Sequence, residues 1–395
     1  MKNFVSSVQS FFKMEQAGGI VIIFAAALAL VVANSDLYDS YIALSHSAFS
    51  FNLLGISLDK DFHFFVNDGL MVIFFFLISL EVKREFISGE LSNPKNVILP
   101  AVAALGGLLM PIAIYHAFNY GTVTQDGWAI AAATDIAIAF GVLALAGKRV
   151  PTSLKVFLMT LAIFDDVMVI GIIAFFFTES LNYSYLVGAA FCTLVLFALN
   201  KKSIDNFAPF VVVGFVLWYC VYMSGIHATI AGIILGLFIP SVPRKIYDNT
   251  GRPHERRSML ESLEHSLHET VSFAILPTFA FINAGVAISQ GDISALTSNV
   301  SLGIIFGLFL GKQLGVFLTA YILIKTKIVD MPTGANWLQV YSIAVLCGVG
   351  FTMGLFIGGL SFSDPSIQYK LPILIGSTVS AIFGLALMKF SVRKM

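Results

Sequence analysis

The chain has 395 residues, of which 57% are hydrophobic and only 12% charged, and its formal net charge is zero. A soluble protein would carry roughly twice that charged share, so a set of soluble domains is excluded, and the neutral balance gives no sign of a nucleic-acid partner. The apolar runs repeat along the whole length, as expected of a single-domain, all-α polytopic membrane protein. Cys192, Cys220 and Cys347 all fall inside these runs, which makes them small buried residues rather than a disulfide framework.

The first apolar run, Ala17–Ala33, follows Lys2 and Lys13. It is longer than the core of a secretory signal, so it reads as a retained helix. Further spans are predicted at 64–80, 97–118, 128–147, 155–178, 183–200, 207–223, 226–240, 260–288, 300–324, 339–361 and 371–389, twelve in all. One set of alternate loops and termini holds 20 of the 23 basic residues, while the other holds only Lys60 and Lys370. By the positive-inside rule, this asymmetry places both termini in the cytoplasm.

After the first span comes the longest outer loop. Within it, Phe49-Ser-Phe-Asn-Leu-Leu-Gly-Ile-Ser-Leu58 alternates weakly around Gly55, as a short β-hairpin or a solvated loop would. A hairpin there has an exposed edge able to pair with a second copy. Asp68 lies at the outer start of the second span, before a Phe-rich run, where it either lines an entrance or marks the boundary. Glu81, Lys83, Arg84 and Glu85 stand at the inner end of that span.

The fourth span, Trp128-Ala-Ile-Ala-Ala-Ala-Thr134-Asp135-Ile-Ala-Ile-Ala-Phe-Gly141, places Thr134 and Asp135 near its middle among small residues. Ala and Gly let helices approach closely, and a Thr hydroxyl satisfies backbone groups or an ion where a helix opens. The fifth span carries Asp165 and Asp166 side by side, with no other ionisable residue between Lys155 and Glu179. Two adjacent carboxylates in hydrocarbon require a cation, a proton or a water-filled cavity.

Farther on, Glu261, Glu264, His265 and His268 fall on one helical face. Histidine beside glutamate titrates near neutrality, so this face reads either as a cytoplasmic pH sensor or as a solvated helix start. The tenth span holds Lys312, with Gly307, Gly311 and Gly315 at four-residue intervals forming a smooth packing face. Lys312 lies about a dozen residues from the inner end, roughly 18 Å, too far to snorkel, so a carboxylate partner is expected. In the eleventh span, Gly348, Gly350, Thr352 and Gly354 weaken the helix centre. Either the helix is interrupted here, as in secondary transporters that hold ions at such breaks, or the glycines let a neighbouring helix pack closely.

Asp135, Asp165 and Asp166 outweigh Lys312 by two negative charges. Two protons would cancel that excess, or one Na⁺ would partly cancel it while displacing protons. Adjacent residues on a helix point roughly 100° apart, so one of the paired aspartates can face Lys312 and the other a cavity. Their repulsion couples their titration. Oxygen ligands suit Na⁺ or Li⁺, and one Na⁺ for two protons would make exchange respond to membrane voltage.

Ala-Ala-Thr134-Asp135-Ile-Ala, Leu-Ala-Ile-Phe-Asp165-Asp166, Gly311-Lys312-Gln-Leu-Gly315 and Cys347-Gly-Val-Gly-Phe-Thr-Met353 together resemble the NhaA family of bacterial sodium–proton antiporters. So do Leu80-Glu81-Val-Lys83-Arg84-Glu85, His227-Ala-Thr-Ile-Ala-Gly232 and Leu263-Glu264-His265-Ser-Leu-His268, and the similarity runs in order from about residue 14 to the last span. The resemblance implies a pH-regulated antiporter of the bacterial inner membrane, not an enzyme, that exports Na⁺ or Li⁺ for H⁺ without a cofactor. It implies twelve helices with spans 3–5 and 10–12 as inverted repeats, and spans four and eleven broken and crossing at the midplane. Asp165 and Asp166 would bind the ion and protons, with Lys312 paired to Asp165 and Thr134 beside the site. Asp135 and Lys312 would neutralise the broken helix ends. Glu81, Glu264, His265 and His268 would serve the pH response, while Asp68, His227 and Gly350 would have entrance or structural roles. The outer hairpin would join a homodimer.

Three residues depart from the family pattern. Ala131 and Gln313 stand where proline is common, and Met168 where a small residue is usual. Two rival readings remain. An intramembrane aspartyl protease would share a proton between Asp135 and Asp165 or Asp166, which the nearby Lys312 ammonium opposes. A passive cation channel would use the acidic groups as a constriction.

Overall fold

The structure is a computed structural model, and it describes residues 17–393 apart from 54–55, 93, 148, 179–180, 243, 248–252, 289, 363 and 365. Lys2, Lys13, Gly55, Lys148, Glu179, Arg252 and Lys394 therefore lie outside the described residues.

Helices follow the apolar runs. α1 (Ala17–Ala33) and α2 (Tyr38–Ser45) lead to the antiparallel strands β1 (Ala48–Leu53) and β2 (Ile56–Asp61), in which Ala48 faces Asp61 and Leu53 faces Ile56. Of the two readings left open by the sequence, the paired strands are the one present. Next come α3 (Phe62–Ser88), α4 (Pro94–Asn119), a 3₁₀ segment (Gln125–Ala132), α5 (Ile136–Ala144), α6 (Thr152–Phe176), α7 (Tyr183–Lys201), α8 (Ala208–Met223) and α9 (Ile230–Phe238). A second hairpin, β3 (Arg244–Tyr247) with β4 (Pro253–Arg256), precedes α10 (Met259–Thr270), α11 (Leu276–Ala284) and α12 (Gln290–Ala295). The chain ends with α13 (Asn299–Lys325), α14 (Trp337–Leu346), α15 (Phe351–Ser361) and α16 (Lys370–Arg393).

Among the described residues seven helices are long and apolar enough to cross a bilayer, and α14 with α15, bent by 41° at their break, makes an eighth. This is a multi-pass membrane protein. Phe24, Phe191, Val212 and Ile382 are exposed in mid-helix, as lipid-facing side chains are.

Four of the twelve expected spans are not among these eight: α1 and α8 are apolar but only 17 and 16 residues long, and two others differ more. The predicted span 226–240 is the nine-residue α9, about 13 Å long by helical rise and shorter than the hydrocarbon core. Gly225, at φ 84°, turns the chain before it, and Pro240 follows its end. The predicted span 260–288 begins with α10, whose sequence MLESLEHSLHET is polar. The apolar stretch starts only at Val271, in a π turn (Val271–Ile275) leading to α11, so α10 stands outside the membrane-spanning part.

The chain divides into two units. One comprises Met1–Ser45, Asn93–Val169 and Pro277–Met395, the other His46–Ser92 and Ile170–Leu276. In the first, α13 packs on α4 through the small-residue face read from sequence. A Cβ on Gly315 would sit 2.1 Å from the Gly106 carbonyl oxygen, and one on Gly311 2.7 Å from Pro111 Cα, so only glycine permits this approach. In the second unit, α3 packs on α9. The Ser79 hydroxyl donates to the Ile233 carbonyl, and Lys83 Nζ donates to the carbonyls of Leu237 at 2.7 Å and Ile239 at 2.6 Å. An ammonium group thus caps the C-terminus of α9. Leu80, Leu196, Phe210, Leu217 and Leu260 form its buried core.

Candidate functional site

Two helix breaks in the first unit are joined to each other. The 3₁₀ segment ends at Ala132, and Ala133 turns extended at φ −81°, ψ 149°. Asp135 is also extended. This exposes polar groups of residues 133–135, and the second break supplies their partners. Thr134 Oγ1 donates to the Cys347 carbonyl at 2.8 Å, and the Asp135 N–H to the Val349 carbonyl at 2.6 Å. The break forms with Ala131 in place, so no proline is needed: hydrogen bonds to the second break replace the lost helical ones.

Asp135 caps two helices at once. Its Oδ1 accepts the Ile138 N–H at 3.1 Å at the start of α5. Its Oδ2 accepts both the N–H of Thr352 at 3.0 Å and the Thr352 hydroxyl at the start of α15. A carboxylate at two helix N-termini is stabilised by free N–H groups and by both dipoles. Ser377 Oγ on α16 accepts the N–H groups of Gly350 and Phe351, completing the cap of α15. Glycine at 348 is a matter of space. A Cβ there would meet the Leu308 carbonyl oxygen and Ser380 Oγ, each at 2.5 Å. One on Gly350 would lie 2.7 Å from Leu308 Cδ2.

Leu308 belongs to a π turn, Gly307–Gly311, in the middle of α13. Lys312 follows directly, one turn beyond Leu308. Its Nζ donates to both oxygens of Asp165 on α6, at 2.9 and 2.7 Å, with the two side chains 1% and 0% exposed. Asp166 beside it is also buried, as are Thr134, Asp135 and Thr352. Lys312 engages Asp165 as expected. Its hydrogen bonds go to that carboxylate rather than to a helix end.

The second unit holds the other sequence-predicted groups in two clusters. Asp68 sits in a π turn, Phe65–Leu70, with its Oδ1 3.5 Å from His227 Nε2. The Trp218 indole donates to the Asp68 carbonyl at 2.8 Å, and His227 Nδ1 lies 2.8 Å from Thr229 Oγ1. At the other cluster, Arg84 Nε donates to both oxygens of Glu264, at 2.9 and 2.8 Å, and Arg84 Nη2 lies 2.8 Å from Glu85. His268 Nδ1 lies 3.6 Å from Glu81 Oε1. The Glu81 carboxylate beside His268 pushes its imidazole above the ordinary range, against the effect of burial. Burial pushes the Glu264 carboxyl up, although Arg84 pulls it down.

The residues of the face read from sequence have different partners. Glu261 forms a capping box with Ser258, accepting the Ser258 N–H at 3.0 Å while its own N–H donates to Ser258 Oγ. His265 is exposed, and among the described residues no ion pair is seen from it to the cluster. Sequence reasoning also missed Thr352 and Ser377 as caps, the π turn before Lys312, and the burial of Glu85. The spacing Ser258-x-x-Glu261 is a readable capping signal. The π turns leave no comparable signal.

Residues 9–388 match the model of a family described as Na⁺/H⁺ antiporter 1. The Na(+)/H(+) antiporter NhaA of Psychrobacter cryohalolentis is 47% identical over 392 residues, which cover 98% of this chain and 96% of that protein. The protein of the same name from Vibrio campbellii is 46% identical over 392 residues, with 98% and 96% covered. That of Campylobacter concisus is 46% identical over 393 residues, with 98% and 94% covered. These relatives are named as transporters rather than enzymes. Across nearly its whole length, then, the chain belongs to the Na⁺/H⁺ antiporter 1 family.

Proposed function

We propose that this chain is a secondary Na⁺/H⁺ antiporter of the bacterial inner membrane, exporting Na⁺ or Li⁺ in exchange for protons. The observation that carries the reading is the buried, two-oxygen contact of Lys312 with Asp165, next to Asp166. A cation that engages Asp165 competes with the Lys312 ammonium for the same carboxylate, so ion binding and the ion pair exclude each other. Asp135 stands apart from this competition, because its oxygens are taken up by two helix N-termini. Asp165 and Asp166 bind the ion and protons as one titrating unit, and Thr134 holds the break beside it. Two protons leave for each Na⁺ bound, so membrane voltage drives the cycle.

In this reading the chain is one transporter domain with twelve spans and both termini in the cytoplasm. The order unbroken, broken, unbroken recurs in α4 to α6 and α13 to α16, which supports a pair of inverted repeats whose broken helices cross at the midplane. Arg84, Glu81, Glu264 and His268 set the pH response, and the outer hairpin β1–β2 joins two copies. The aspartyl-protease alternative is disfavoured because an ammonium on Asp165 favours the ionised form, whereas a protease dyad shares a proton.

Everted membrane vesicles with a respiration-generated pH gradient test this. Added Na⁺ or Li⁺ should collapse the gradient, Asp166→Asn should abolish that response, and an imposed voltage should change its rate. A gradient indifferent to Na⁺ on both the acid and the alkaline side of neutrality would sink the antiporter reading. Exchange that ignores voltage would remove only the two-proton stoichiometry. Na⁺ flux without proton countertransport would leave the channel.

A further inference from the structure

Gln313 follows Lys312 directly and is 3% exposed. Its amide has a partner at each end. Nε2 donates to the Phe309 carbonyl at 2.7 Å, and Oε1 accepts the Tyr341 hydroxyl. Phe309 lies within the π turn Gly307–Gly311, where the Lys312 N–H reaches back five residues to the Gly307 carbonyl. Such a turn disturbs the regular pairing of helix carbonyls, and the Gln313 amide supplies one of them with a donor.

Tyr341 belongs to α14, the half-helix that ends at Leu346 just before the break. Its ring also meets Phe317 edge-on at 5.1 Å. Gln313 and Phe317 are one turn apart on α13, so Tyr341 bridges the turn that carries Lys312 to the broken helix. The geometry matters because a π turn can migrate along a helix. A residue that it passes is rotated by about 100°, one residue's turn. For Lys312, such a rotation would carry the ammonium away from Asp165.

We propose that Gln313 and Tyr341 are positioning residues for Lys312. They pin the π turn at 307–311 and tie it to α14, so that the Lys312 ammonium meets Asp165 and returns to it when a bound cation leaves. This rests on reading Asp165, Asp166 and Lys312 as the exchange site. Where the family commonly carries proline, this chain thus holds the lysine turn by hydrogen bonds through a second helix.

The test compares the parent chain with Tyr341→Phe, Gln313→Leu and the double variant in everted vesicles. It measures the apparent KM for Na⁺, the maximal rate and the pH profile, together with protein amount in the membrane and thermal midpoint. Tyr341→Phe removes one oxygen and is the variant least disturbing to folding. Each single substitution should raise the apparent KM about threefold to tenfold, the range one neutral hydrogen bond commands. Each should also move the pH of half-maximal exchange by about half a unit or more. The double variant should match the larger single effect, because both break one connection. An unchanged KM and pH profile, with only a lower rate or thermal midpoint, would overturn the proposal, as would additive effects. If the parent shows no Na⁺-dependent exchange, the site reading itself fails. If the parent is active, Asp166→Asn is inactive and Tyr341→Phe behaves as the parent, only the positioning role falls.

Discussion

One carboxylate oxygen of Asp135 accepts both the backbone N–H and the hydroxyl of Thr352, a residue 217 positions away, while the other caps Asp135's own helix at Ile138. At the start of α15 the Ser377 hydroxyl takes the N–H groups of Gly350 and Phe351, and the Thr352 N–H goes to Asp135. Asp135→Ala would leave buried N–H groups unpaired at two helix starts. The expected cost is about 1–3 kcal/mol of stability for each unpaired group, set by desolvation. It should appear as a lowered thermal midpoint in detergent. Asp135→Asn, which keeps one acceptor oxygen, should fall between parent and Asp135→Ala.

Lys312 and Asp165 are both completely buried, so their pair should behave asymmetrically under substitution. Lys312→Met leaves an uncompensated carboxylate and should destabilise by about 3–5 kcal/mol, the usual consequence of breaking a buried pair from one side. Lys312→Met with Asp165→Asn removes both charges and should recover much of that loss, a coupling that a double-mutant cycle on thermal midpoints measures directly. Recovery of stability should not bring back voltage-dependent Na⁺/H⁺ exchange. A double variant no more stable than Lys312→Met would show that the two residues are not energetically paired.

Gly348 should be among the least replaceable glycines of the first unit. Alanine there puts a methyl 2.5 Å from the Leu308 carbonyl and from Ser380 Oγ. The backbone carbonyl belongs to the π turn before Lys312 and cannot swing aside as a side-chain tip would. Gly348→Ala is therefore expected to lower both folding yield and exchange. Gly334→Ala, in a loop with nothing within 4 Å but φ at 75°, should cost about 1 kcal/mol from backbone strain and leave the ion affinity unchanged. Purified yield and apparent KM for Na⁺ separate the two.

The charged pairs were the most legible part of the molecule, because Asp135, Asp165, Asp166 and Lys312 are conspicuous in apolar runs and hydrocarbon leaves them few partners. The break at 347–350 was also readable from its glycines. The break at 133–135 was less so. Gln125–Ala132 is rich in good helix formers, yet it ends because Thr134 and Asp135 bond to carbonyls more than 200 residues away. Local propensity could not reveal that tertiary override. The π turns at Phe65–Leu70 and Gly307–Gly311 change the pairing interval without a change in composition. For Glu261, Glu264, His265 and His268, helical spacing was legible. Which of them find partners was not, since Arg84 and Glu81 on α3 decide that.

His268 is drawn toward its protonated form chiefly by Glu81, 3.6 Å away, and it stands on the polar helix α10 outside the apolar stretch. The other charged groups facing this pair are Glu264 and Glu269, which also favour the cation, and Arg84, which Glu264 and Glu85 already engage. A raised folded-state value means that the contact is fully present below the ordinary histidine range. It is lost as pH rises through the shifted value. If the contact restrains α3 against α10, raising the pH should release it, and exchange should switch on across the alkaline side of neutrality. Glu81→Gln and His268→Gln should each move half-activation to lower pH, by about one unit or less because the imidazole is largely exposed. Their effects should not add, since either substitution removes the same contact. His265→Gln, on the same helix but outside the cluster, should leave the profile where it is. An alkaline shift in either of the first two variants would reverse the assigned sign of the switch.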